Sequence, residues 1–184
     1  MKRLGNELLI IQGKKAMPGQ APHPVEGWSA APSVNEAGEE NMLLWNIMID
    51  GPHGSPYEGG TFRCTLTFPP EFPNRPPQLV FVTHIYHINF PKFSPVAHPL
   101  THDFLFATLD SAPQDLIGLG TKWKGAKYVP EYIGNVIQLL REPSPDDAID
   151  KDDAFHQFTT DRAAFTDTAR QVTLLHAPPL RPFS

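Results

Sequence analysis

One thiol and a group of histidines are the side chains whose types could do chemistry. A thiolate is nucleophilic near neutral pH and is also a good leaving group. The 184-residue chain has a single cysteine, Cys64. Its setting argues for packing instead. Phe62, Cys64, Leu66 and Phe68 alternate with Arg63, Thr65 and Thr67, which reads as a strand with one buried face and puts the thiol into the core. His84, His87, His98 and His102 fall in one region and could together ligate zinc. Pro99 makes His98 and His102 a poor helical pair, and spacing alone is weak evidence for a metal. Neither a metal site nor a cofactor is expected.

The elements that must position these residues can be read in order. Leu4, Leu8 and Ile11 predict an amphipathic helix over residues 2–14. Three prolines and a glycine make Met17 to Pro24 a linker. Trp28 to Pro32 suits a short strand, and the polar stretch Asn35 to Asn41 a turn. In Met42 to Asp50, Leu43, Trp45, Ile47 and Ile49 alternate with Leu44, Asn46, Met48 and Asp50, which predicts a strand. Gly51 to Gly60 is a turn cluster leading into the Cys64 strand. A proline-stiffened loop and a short strand, Gln78 to Val82, follow. His84 to Lys122 has no sustained period, and an irregular stretch that long points to function or to a partner surface. Pro130 opens a helix through Leu140, with Tyr132, Val136 and Leu139 beside Ile133, Ile137 and Leu140. Pro143 and Pro145 end it. Asp152 to Phe158 and Asp161 to Leu175 predict two more helices. A helix, a run of strands and then helices give an α+β fold.

Bulk properties narrow the function classes. The length suits one domain, 1–176, followed by a proline-rich tail, 177–184. The net charge of −5, without a basic stripe, argues against nucleic acid. A lone cysteine fits a reducing compartment, cytoplasmic or nuclear, with membership of an organellar complex such as a mitochondrial one left open. No apolar run reaches the roughly 18 residues of a membrane span. The first 15 residues are mildly basic and amphipathic, but Glu7 and the lack of Ser and Arg enrichment disfavour a presequence.

The order of residues resembles the ubiquitin-conjugating enzymes. Trp45 and Ile49-Asp50-Gly51-Pro52, with Ser55 to Phe62, look like that family's second and third strands and their hairpin. Phe68-Pro69, Phe72-Pro73 and Pro76-Pro77 look like its proline loop. Val82 to His87 looks like the lead into its His-Pro-Asn motif. Leu139-Leu140 with Pro143 to Asp147, and Thr160-Asp161-Arg162 with Ala169-Arg170, resemble its later helices. The matches run in order over about residues 2–175. The resemblance implies an N-terminal helix, a four-stranded antiparallel meander and three C-terminal helices.

That family carries ubiquitin, or a related modifier, as a thioester on a cysteine that a lysine then attacks. Here the motif reads His87-Ile88-Asn89, and no cysteine follows it. The family's nucleophile position falls at Phe106, or at Ala107 with one residue gapped. By resemblance, Asn89 matches the asparagine that stabilises the oxyanion, and Asp147 the acidic residue that orients the incoming lysine. Without a nucleophile, both fit better as a loop-holding asparagine and a turn-capping aspartate. Ligase docking is also altered. Asn74 stands where the proline loop usually shows an apolar side chain. Trp123 takes the place of a tryptophan, and Lys124-Gly125-Ala126 replaces the Ser-Pro-Ala after it. An unusual insertion occupies about residues 90–122.

The reading that follows is a catalytically inactive conjugating-enzyme-like protein, a binding or scaffold subunit of a larger assembly. Its partners would be proteins: ubiquitin or a ubiquitin-like modifier, an active conjugating enzyme, or subunits of a large complex. Serving as a non-catalytic cofactor of an active enzyme is one alternative, although the two C-terminal helices present here are usually missing from such variants. Another is an active enzyme whose cysteine has been replaced by engineering, for example at Ala107. A third is different chemistry, with a hydroxyl near Thr108 accepting an acyl group or the histidines binding metal.

Overall fold

The computed structural model describes residues 2–21, 25–90, 128–148 and 153–179. Helix α1 spans Lys2–Ile11, three residues shorter than its pattern predicts. Gly13 stops it with φ at +68°. Its N–H bonds to the Ile10 carbonyl at 2.9 Å, and the Lys14 N–H bonds to the Leu9 carbonyl at 2.8 Å. That pair of bonds is the left-handed glycine cap that satisfies a helix's last carbonyls. The buried face of α1 holds Leu4, Ile10 and Ile11, and also Glu7, whose side chain is fully enclosed.

Four strands follow: β1 (Trp28–Val34), β2 (Glu40–Asp50), β3 (Thr61–Thr67) and β4 (Gln78–Phe81). They form one antiparallel meander in chain order. β1 runs beyond Pro32 to Val34, with a register shift between Pro32 and Ser33 that absorbs the proline. The turn from Asn35 to Glu39 is held by the Asn35 side chain, whose oxygen accepts from the N–H groups of Ala37 and Glu39. Trp45, Ile47, Ile49, Phe62, Cys64, Leu66, Leu79 and Phe81 line the inner face and are all buried.

The expectation of a single buried face on β3 needs correcting, because Thr65 and Thr67 on the other face are buried too. The register explains why. Thr65 lies between Asn46 and Val80, and Thr67 between Leu44 and Gln78. Short side chains on a central strand are overshadowed by longer cross-strand neighbours.

After β4 the described chain resumes with α2 (Val129–Arg141), a 3-10 turn (Pro145–Asp147), α3 (Asp153–Thr160) and α4 (Arg162–His176). Val129, Tyr132, Ile133, Val136 and Leu140 of α2 join the inner face of the sheet in one core. Glu7 ties α1 to this layer. Its carboxylate accepts the Val129 N–H at 2.9 Å and pairs with the Arg3 Nε at 2.9 Å. A helix leaves its first N–H groups without partners and favours negative charge there, so Glu7 caps α2 from another element. Burial raises the Glu7 pKa, while the Val129 N–H and Arg3 oppose that rise. Asp161 caps α4, its side chain accepting from the Ala164 N–H at 3.0 Å. Ala177 is buried, and its carbonyl accepts the Thr61 N–H at 3.1 Å.

The β2–β3 hairpin is closed by the Gly51 N–H donating to the Gly60 carbonyl at 2.8 Å. A Cβ on Gly51 would lie 1.6 Å from the backbone oxygen of Tyr57, and one on Gly60 would lie 2.6 Å from a methyl of Thr173. Gly51 faces rigid backbone, so its substitution must reopen the turn. Gly51→Ala should cost more than about 3 kcal/mol, read as a fall in the urea midpoint, whereas Gly5→Ala in α1, where a Cβ meets open space, should leave the midpoint unchanged or raise it.

Candidate functional site

The segment His84 to Phe90 leaves β4 as an irregular flap, yet Ile85 and the whole run His87 to Phe90 are buried. Buried backbone without a ladder needs partners from elsewhere. The Tyr57 hydroxyl donates to the Tyr86 carbonyl at 2.7 Å, and the Tyr86 hydroxyl donates to Gln157 Oε1 at 2.9 Å. The Tyr86 ring also lies 5.5 Å from Phe165 of α4. Ile88 is buried, so the isoleucine of His87-Ile88-Asn89 contributes apolar packing.

His87 makes two hydrogen bonds. Its Nε2 lies 2.9 Å from the Leu139 carbonyl oxygen, and its Nδ1 lies 2.9 Å from the Asn89 N–H. A carbonyl can only accept and an N–H can only donate, so the ring is neutral with its proton on Nε2. Burial drives its pKa down to about 3 against the opposing pull of the Leu139 carbonyl. A ring with both nitrogens engaged has no lone pair free for a metal. His87 is therefore removed from the four-histidine zinc reading, while His98 and His102 lie outside the described residues.

Asn89 is fully buried. Its Nδ2 donates to the Ser144 carbonyl at 2.7 Å and its Oδ1 accepts the Ser144 N–H at 2.9 Å. Both ends of the amide thus hold one residue of the loop after α2. Ser144 passes the constraint on, its hydroxyl donating to Asp147 Oδ2 at 2.9 Å. Asn89 and Asp147 come together through Ser144, a residue that the reading of the sequence did not single out. A signal was present in Ser144-Pro145-Asp146-Asp147, a hydroxyl three residues before a carboxylate at the start of a turn. Tyr57 and Gln157, the other tethers, carry no local pattern that would mark them.

The remaining candidates do not join this group. Asn74 is exposed in the proline loop, where its N–H closes a turn on the Glu71 carbonyl at 2.8 Å. Phe106, Ala107, Trp123, Lys124, Gly125 and Ala126 lie outside the described residues, as does Thr108. Cys64 is 2% exposed and sits between Ile47 and Phe81 in the register. Burial pushes its thiol pKa well above the usual range. Among the described residues, no group of three or more His, Cys, Asp or Glu side chains could hold a metal ion, and no helix is long and apolar enough to cross a membrane.

Two predictions follow from this geometry. The folded-state pKa of His87 lies below its unfolded value of 6.5. Its contribution to stability is therefore complete above about pH 6.5 and is lost as pH falls towards 3, at about 1.4 kcal/mol per pH unit. Glu7, with a raised pKa, works in the opposite sense: it costs stability as pH rises above 4.5. The diagnostic is thus a difference: His87→Gln should flatten the fall in urea midpoint between pH 7 and pH 5 relative to the unsubstituted chain. Asn89→Ala would leave the Ser144 N–H and carbonyl without partners and should cost about 2–4 kcal/mol, measurable in the same unfolding experiment.

Comparison with known proteins agrees with this architecture. A family model described as "Ubiquitin-conjugating enzyme" matches residues 19–173. The fold is also similar to a crystal structure described as a "putative ubiquitin conjugating enzyme from Plasmodium yoelii", at 27% identity and a TM-score of 0.68. That likeness covers 96% of this chain and 94% of the other. The matched span takes in the meander, the flap with its Asn89–Ser144 lock, and all but the last turn of α4, so the chain belongs to the ubiquitin-conjugating enzyme family.

Proposed function

We propose that this chain uses the conjugating-enzyme fold to bind or position protein partners and does not itself carry a modifier as a thioester. The observation behind this reading is the state of Cys64, the one thiol in the chain. Thioester formation needs a sulfur that reaches an activated carbonyl and ionises near neutral pH. Cys64 is enclosed on the inner face of β3, and its burial disfavours the thiolate. Exposing it would mean opening the core between β2 and β4.

The flap supports the same reading. His87 and Asn89 are fully employed in holding backbone. They have structural work whether or not a nucleophile is nearby, which accounts for their presence in a chain without one. A scaffold subunit needs this shape intact and needs no reactive group. Candidate partners are ubiquitin or a ubiquitin-like modifier, an active conjugating enzyme, or other subunits of a larger assembly.

Incubation with activating enzyme, ATP and ubiquitin should give no adduct that dithiothreitol removes. A reducible band that disappears in Cys64→Ser would overturn the proposal.

A further inference from the structure

We propose that His84 and His176 form a two-histidine site for a borderline divalent cation, with Zn2+ the reference ion. The two rings lie with centroids 5.0 Å apart at an interplanar angle of 73°. Zinc binds imidazole nitrogen at about 2.0–2.1 Å in tetrahedral geometry, which places the ion about 3.2 Å from each ring centre and the two centres about 5 Å apart. The observed centroid spacing is therefore the one such a chelate requires.

Both rings are available. His84 is half-buried and His176 exposed, and neither ring takes part in a hydrogen bond among the described residues, in contrast to His87. Their backbones are already fixed. His84 precedes Tyr86, which is tethered to Tyr57 and Gln157. His176 ends α4 and precedes Ala177, whose carbonyl is held by Thr61. A pair of ligands on anchored backbone loses little freedom when a metal arrives. The C-terminal end of a helix also carries partial negative charge, which favours a cation at His176. Two coordination positions remain for water or a third group, so the site is open and exchangeable, unlike a closed structural zinc centre. The ligands are remote in sequence and meet only in the folded chain, so the metal binds that state and stabilises it.

The test uses the full chain stripped of metal and titrated with ZnCl2 in a calorimeter near pH 7.5. One saturable site is expected, with His84→Ala and His176→Ala each weakening it at least about tenfold. His53→Ala and His156→Ala should leave it unchanged. The thermal midpoint without metal checks that each variant is folded. Electron paramagnetic resonance of the Cu2+-loaded unsubstituted chain gives a variant-free measure, in which coupling to two imidazole nitrogens is expected. Coupling to one nitrogen, binding that does not saturate, or affinity unaffected by both substitutions would each overturn the site, as would zinc binding lost in His98→Ala or His102→Ala but retained without His84 and His176.

Discussion

The flap from His84 to Phe90, buried at Ile85 and from His87 to Phe90, belongs to no helix or sheet, and that imposes the constraint around which this end of the molecule is arranged. Polar groups of Tyr86, His87 and Asn89 are satisfied from four directions: Tyr57 in the hairpin, Leu139 in α2, Ser144 in the loop beyond it, and Gln157 in α3. The Asn89–Ser144 pair is the strictest of these contacts. One amide side chain meets both the donor and the acceptor of a single residue, which fixes distance and orientation together. Through the flap, the hairpin, α2 with the loop after it, and α3 are registered against one another.

The strands and their inner faces were legible in the sequence because period-two alternation survives single-sequence reading. Trp45, Ile47 and Ile49, then Phe62, Cys64 and Leu66, lie where the alternation puts them. What stayed hidden depends on distant residues. Glu7 looks like a solvated charge on an amphipathic helix until the N-terminus of α2 is brought against it. Thr65 and Thr67 look solvent-facing until cross-strand neighbours shade them. The site divides in the same way. His87, Asn89 and Asp147 were picked out by a motif; the Ser144–Asp147 turn has a local signal, but the contacts of His87 with Leu139 and of Asn89 with Ser144 have none. The approach of His84 to His176 depends on the docking of α4 and has no sequence signal at all.

Under the proposed function, membership of the family and thioester chemistry part company. The fold tolerates isoleucine between His87 and Asn89 because that position is buried and apolar. Asn89 holds two backbone groups of Ser144 that would lose this partner without the amide. Residues that look catalytic by position can therefore persist for reasons of stability alone, and their presence is weak evidence of activity. The burial of Cys64 weighs more in the proposed reading, since it is the chain's one thiol.

The bond from the Thr61 N–H to the Ala177 carbonyl has a kinetic consequence. It joins the start of β3 to the residue that follows α4, across well over half of the chain. Closing so long a loop costs entropy that the contact cannot repay until the intervening elements are in place. The meander pairs near neighbours, whereas the docking of α4 closes a far longer loop. The helix end that carries His176 is thus brought to His84 by contacts remote in sequence.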